Sequence, residues 1–240
     1  MQVIDTELFG WYCEKVDKEI LGAFKQNETV FNQVYESHQW HLEAPHKRLL
    51  YFIMYGLLLT EGTPRQRILD IGGGITSLTT LISRKHDYSV MGIGIDPNVK
   101  DIGDFKIIPK DWYDFDIDHN SWDIIIANDI FPNVDQRLEM FLEKYLPCCG
   151  LMTLSLTYNN GVPKWYKTKR MDDSEILHML SWTGAQVRML LKKYQNRLDF
   201  SKSEITDFFN NLVKGTETIF PNKRQVCTVS LTGDLHPDHK

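Results

Sequence analysis

The sequence predicts an α/β fold: a seven-stranded, doubly wound, mostly parallel sheet with an antiparallel last strand, plus an N-terminal helical cap. Three observations predict it. From Arg67 onward, short apolar runs of strand length alternate with helix-like stretches, the pattern of a parallel sheet covered on both faces. The run 68-ILDIGGGITSLTTLI-82 joins a strand to a helix through an acid and three glycines. The late run 224-RQVCTVSLTG-233 alternates and reads as an antiparallel strand near an edge.

The elements follow in order. Residues 1–60 show no strand alternation, and Leu8, Trp11, Val16, Ile20, Leu21 and Phe24 fit one helical face. A second helix is expected near 29–35. A third runs from Pro45, at its first turn, through Leu59. The turn 61-EGTP-64 closes this cap, so the expected organisation is a helical cap or lid over 1–62 and a core over 63–240. Strands are expected at 67-RILDI-71, 89-SVMGIGID-96, 105-FKIIP-109, 122-WDIIIAN-128 and 150-GLMTLSLT-157, with helices at 77–85 and 135–146 among them. Beyond these, 173-DSEILHMLSW-182 reads as a helix, 185-AQVRMLLKKY-194 as a sixth strand, and 203-SEITDFFNNLVK-214 as a helical insert within about 195–223.

Composition bounds the function. The chain has 240 residues, 42% of them hydrophobic, enough for a substantial core. Its net charge of −5 is spread along the chain, which argues against a nucleic-acid binder. Cys13, Cys148, Cys149 and Cys227 lack metal-ligand spacing and read as reduced thiols of a cytoplasmic protein. The acidic N-terminal stretch lacks a long apolar region, so no signal peptide is expected. The apolar run near 49-LLYFIMYGLLL-59 falls short of the roughly 20 residues a membrane span needs.

The glycine loop is the natural ligand site, because open α/β sheets bind at the carboxyl ends of their strands. Gly72, Gly73 and Gly74 permit a tight turn and a close backbone approach, and Thr76 or Ser77 is placed to cap the next helix. The dinucleotide pattern G-x-G-x-x-G, begun at Gly72, would need its third glycine at Ser77. Asp70, just before the loop, would repel a pyrophosphate and suits a cationic group. Asp96, ending the second strand, is placed to accept hydrogen bonds from ribose hydroxyls, which fits NAD and S-adenosylmethionine alike. In 110-KDWYDFD-116, Asp111 is a candidate acceptor for an adenine amino group and Trp112 a candidate aromatic wall.

The order LDIGGG, GID, KDW and 122-WDIIIANDIFPNVD-135 resembles the class I S-adenosylmethionine-dependent methyltransferases over about residues 65–233. The resemblance implies S-adenosylmethionine as cofactor. It implies that Asp70 and Gly72–Gly74 hold the methionine moiety, Asp96 the ribose and Asp111 the adenine, and that Asn128 and Asp129 face cofactor and substrate. It also matches 185–194 and 224–233 to a terminal strand hairpin. Thr76 stands where the fullest family motif has a third glycine.

In-line methyl transfer from a sulfonium needs mainly alignment, and an oxygen acceptor often needs a general base as well. Candidate bases are Asp129 and two histidines of 38-HQWHLEAPHKR-48, His38 and His41, which precede the core and could fold over the cofactor. His38-x-x-His41-x-Glu43 is not a standard metal site, and no metal is expected. The run 128-NDIF-131 is not the Asn/Asp-Pro-Pro-Tyr motif of methylases acting on nucleic-acid amino groups, so a small-molecule acceptor is favoured. The basic run 164-KWYKTKR-170 suggests an anionic group on it, such as a phosphorylated or sugar-type metabolite, and Tyr158, Asn159 and Asn160 are further candidates to face it. The protein is expected to be a monomer or homodimer without nucleic-acid or membrane partners. An NAD-dependent oxidoreductase and a non-catalytic partner protein are the competing readings.

Overall fold

A computed structural model of the chain describes Glu14, Met54 and residues 66–72, 89–94, 106–117, 122–159, 161–169, 176–199, 218–219 and 224–235. Apart from Glu14 and Met54, the expected N-terminal cap lies outside these residues, as do the helix at 77–85 and the helical insert at 203–214.

One sheet organises the described residues. Its strands are β1 (Arg67–Ile71), β2 (Ser89–Gly94), β3 (Lys106–Pro109), β4 (Trp122–Ala127), β5 (Cys149–Asn159), β8 (Thr218–Ile219) and β9 (Arg224–Thr232), in the order β3-β2-β1-β4-β5-β9-β8. The first five are parallel, and β9 runs antiparallel to β5. The ligand end is where the order reverses, since β1 lies between β2 and β4.

Two expectations exchange places. The stretch read as a helix contains β7 (Ile176–Ser181), which pairs with β6 (Lys164–Lys169) in a separate antiparallel hairpin. The stretch read as a sixth strand is helix α2 (Gly184–Lys192). Its buried Val187, Leu190 and Leu191 stand at helical spacing. A capping box starts it: the Gln186 N–H donates to Thr183 Oγ1 at 3.3 Å, and the Thr183 N–H donates to Gln186 Oε1 at 2.9 Å. The partner of β9 is instead the two-residue β8, which pairs through Thr218↔Val226 and Ile219↔Gln225.

The hydrophobic core lies on one face of the sheet. Leu69, Ile71, Ile125, Ala127, Met152, Leu154, Leu156, Val229 and Leu231 alternate onto it. Helix α1 (Leu138–Tyr145) covers this face with Leu138, Phe141, Leu142 and Tyr145, all buried. Trp112, Phe131, Phe141 and Tyr145 form an aromatic cluster, with Phe141 and Tyr145 stacked 4.8 Å apart. Cys148, Cys149 and Cys227 are free and buried, and burial pushes the Cys149 thiol up to about 12, away from thiolate chemistry. Among the described residues no helix is long and apolar enough to cross a membrane.

Candidate active site

The opposite face of the same strands is polar at its carboxyl end. The register Asp70↔Ile126↔Thr153 puts these three residues on one face, and two residues further along come Asn128 and Ser155. β5 runs on beyond the end of β4 as far as Asn159, held there by β9, so Ser155 and Thr157 stand beside the loop that leaves β4. Asp70, Asn128, Ser155 and Thr157 are all buried.

Asp70 is the penultimate residue of β1, and the chain turns sharply after Ile71. Gly72 has φ +63°, and its N–H donates to the Ile93 carbonyl of β2 at 2.5 Å. Glycine is favoured twice over here. The left-handed backbone disfavours a side chain, and a Cβ would overlap the Ile130 side chain. Gly73, Gly74 and Asp96 lie outside the described residues, as do His38 and His41.

The end of β4 carries a second left-handed residue, Asp129, with φ +57°. Such a conformation costs a non-glycine residue on the order of 1 kcal/mol, although aspartate tolerates it better than most. Hydroxyls of β5 hold it in place. The Asp129 N–H donates to Ser155 Oγ at 2.7 Å, and Thr157 Oγ1 donates to Asp129 Oδ1 at 3.0 Å. Ser155 Oγ in turn donates to Asn128 Oδ1 at 2.6 Å. Asn128 is 7% exposed, yet among the described residues nothing meets its Nδ2.

Asp111 follows β3 and is fixed from two sides. Its Oδ1 accepts from the Tyr113 N–H at 2.8 Å, and its Oδ2 accepts from Arg137 Nη2 at 2.8 Å. Arg137 also binds Asp135, with Nη2 to Oδ2 at 2.6 Å and Nε to Oδ1 at 3.0 Å. Burial works to raise the Asp135 carboxyl, but the hydrogen bonds from Arg137 and Trp112 outweigh it and hold the group below the usual carboxylate value.

Trp112 corrects an expectation. It was expected as an aromatic wall for a ligand, but its ring is wholly buried. Its Nε1–H donates to Asp135 Oδ2 at 2.7 Å, and the Arg137 guanidinium stacks 4.6 Å from its ring centre. It is a floor under Arg137, in the apolar core. Tyr158 is likewise buried, within β5 and on the core face, and Asn160 lies outside the described residues.

The basic run supplies strand β6, Lys164–Lys169. Its hairpin is tied to the β4 loop: the Tyr166 hydroxyl donates to Asn133 Oδ1 at 2.5 Å, and Gln136 Nε2 donates to the Leu180 carbonyl at 3.0 Å. Trp182 Nε1–H donates to Gln136 Oε1 at 2.5 Å. Lys164, Trp165 and Lys167 stay exposed, Trp165 at 73%. Among the described residues no group of three or more His, Cys, Asp or Glu side chains could hold a metal ion.

Arg137, Asp135, Ser155 and Thr157 were not anticipated as site residues. A serine and a threonine two apart in a strand look like ordinary strand residues. Their hydroxyls matter only because β5 outruns β4.

This architecture is the class I methyltransferase fold. Among solved structures, the N-terminal domain of EvdMO1 with SAH bound matches at a TM-score of 0.50 and 11% identity, over 78% of this chain and 84% of that one. The plantazolicin methyltransferase BpumL in complex with SAH matches at 0.48 and 16% identity, over 95% and 99%. The Burkholderia thailandensis 1,6-didemethyltoxoflavin-N1-methyltransferase matches at 0.49 and 12% identity, over 93% and 90%. No protein-family model and no curated protein matches the chain.

Proposed function

We propose that the protein transfers a methyl group from S-adenosylmethionine to a small-molecule acceptor. The observation that carries this reading is the pairing, on one sheet face, of the buried acid Asp70 with the unpartnered amide donor of Asn128, beside a left-handed turn that favours glycine. The cofactor offers an ammonium group and acceptor oxygens, and these residues fit it: a buried acid suits the first and a buried N–H donor the second.

Bound S-adenosylmethionine supplies a methyl group already activated on a sulfonium. The chain's own task is therefore to orient and to move a proton. In this reading Asp70 holds the ammonium group, and Gly72, Gly73 and Gly74 let the backbone come close. Asp96 accepts from the ribose hydroxyls. Asp111, fixed by Arg137, accepts from the adenine amino group, while buried Trp112 supports Arg137 from beneath. Asn128 donates to the cofactor. Asp129, His41 and His38 are the candidates to take a proton from the acceptor.

The acceptor is proposed to enter between the cap of residues 1–62 and the core of 63–240. Its anionic part, phosphorylated or sugar-type, would lie on the basic β6 strand. The strand's anchorage to the β4 loop through Tyr166 and Asn133 supports a position near the reacting end. The protein is proposed to be cytoplasmic, a monomer or homodimer, and without nucleic-acid or membrane partners. Incubation with labelled S-adenosylmethionine and fractionated metabolites tests the activity: label should pass to one small-molecule fraction with stoichiometric S-adenosylhomocysteine. Transfer of label to nucleic acid or protein alone would refute the acceptor class.

A further inference from the structure

We propose that Ser155 is a positioning residue, whose hydroxyl locks the Asn128 amide with its NH2 group turned toward the bound cofactor. The inference rests on the cofactor reading above and adds a residue to it.

The argument concerns the direction of a short relay. The Asp129 N–H is a backbone donor and cannot reverse, so at 2.7 Å it obliges Ser155 Oγ to accept. The oxygen could accept a second hydrogen bond from Asn128, 2.6 Å away, but the hydroxyl hydrogen would then lose the acceptor it has there, so the arrangement that satisfies both groups has Ser155 donating to Asn128. Only the Oδ1 oxygen of the amide accepts. The relay thus decides which end of Asn128 faces Ser155, a choice that heavy-atom positions alone leave open. The Nδ2 end is left buried without a partner among the described residues. A buried amide donor left unsatisfied is costly, and a ligand acceptor atom relieves that cost. Backbone geometry supports the same reading: left-handed Asp129 aims its N–H at β5, and Thr157 fixes its side chain. Ser155 lies in the interior of the sheet, and it acts through Asn128 without touching the ligand itself.

A double-mutant cycle read by calorimetric titration with S-adenosylhomocysteine tests the relay. Asn128→Ala should weaken binding by about tenfold or more, the worth of a buried hydrogen bond. Asn128→Asp, which keeps an acceptor for Ser155 but replaces the donor, should weaken it at least as much. Ser155→Ala should weaken binding severalfold in a protein that unfolds cooperatively. The double variant should be no weaker than Asn128→Ala alone, because both changes remove one device. A merely structural role for Ser155 would not produce that coupling. Ser155→Cys, a near-isosteric change to a weak donor, takes the place of Ser155→Ala if the latter does not fold, with the same outcomes expected. Wild-type affinity in a folded Ser155 variant, or losses that multiply independently in the double variant, would overturn the relay. Failure of the wild-type protein to bind S-adenosylhomocysteine would overturn the cofactor reading itself, and the relay with it.

Discussion

The two faces of the central sheet are built from the same strands and do different work. On one face, Leu69, Ile71, Ile125, Ala127, Leu154 and Leu156 meet α1 and the aromatic cluster and make a dry core. On the other, Asp70, Asn128, Ser155 and Thr157 are equally buried but polar. Burial of the first set stabilises the fold by removing apolar surface from water. Burial of the second costs free energy wherever partners are missing. Of these four polar residues, Asn128 has an Nδ2 that lacks a partner among the described residues, and an unsatisfied buried donor at the carboxyl end of a parallel strand is a physical reason to look for a ligand there.

The comparison can be broken from either side. On the core face, Phe141→Ala should remove about 3–5 kcal/mol of stability, as for large-to-small changes in a packed core. Denaturant unfolding followed by fluorescence checks this, and a loss under about 1 kcal/mol would mean that the aromatic cluster is loosely packed. On the polar face, Asp70→Ala should leave the protein folded while weakening S-adenosylhomocysteine by roughly 2–4 kcal/mol, the cost of truncating one side of a buried charged contact.

Asp135 ties Trp112 in the core to the partly exposed Arg137 and, through it, to Asp111. Asp135→Asn should cost about 2 kcal/mol near neutral pH, discounted because Arg137 is partly solvated. The sign of its pH dependence follows from a carboxyl whose folded value is lowered. Its stabilisation is present above the ordinary carboxylate value and is lost as pH falls through that value toward the folded one. Melting curves of Asp135→Asn and the parent should therefore converge in acid. A gap that stays constant with pH would mean that the ion pair contributes nothing. A smaller effect is expected at Thr183→Ala, which removes the cap of α2 and should cost about 1 kcal/mol by thermal unfolding. Smallest in stability is Lys164→Glu with Lys167→Glu on the exposed hairpin, within about 0.5 kcal/mol of the parent. This pair should raise the acceptor's KM and spare cofactor affinity, and an unchanged KM would remove the anionic-acceptor reading.

The legibility of the sequence followed the same division. β1 to β5 were readable because each is a near-continuous apolar run bounded by turn residues, which is how a doubly covered strand looks. β7 and α2 were read in exchange, because short apolar stretches such as 176-ILHMLS-181 fit either period. The local chemistry could have separated them: Thr183 and Gln186 form a capping box, and Val187, Leu190 and Leu191 keep helical spacing. β8, with two residues, carries no periodic signal at all. In the site, Asp70 and Asn128 are visible in the sequence because position at the end of a strand is itself a signal. Ser155, Thr157 and the Asp135–Arg137–Asp111 chain are not. Their roles depend on which strand overshoots its neighbour and on pairings between distant segments, which no local pattern encodes. Trp112 was read as a ligand wall because an aromatic after β3 has the right place. Its burial under Arg137 depends on α1, which arrives later in the chain.

Calorimetric titration of the wild-type protein with S-adenosylhomocysteine and, separately, with NAD tests the central claim most directly. The polar face predicts saturable one-to-one binding of S-adenosylhomocysteine and no measurable heat of binding with NAD. Binding of NAD in preference, or of neither, would contradict the assignment of Asp70 and Asn128 to a methyl-donor site.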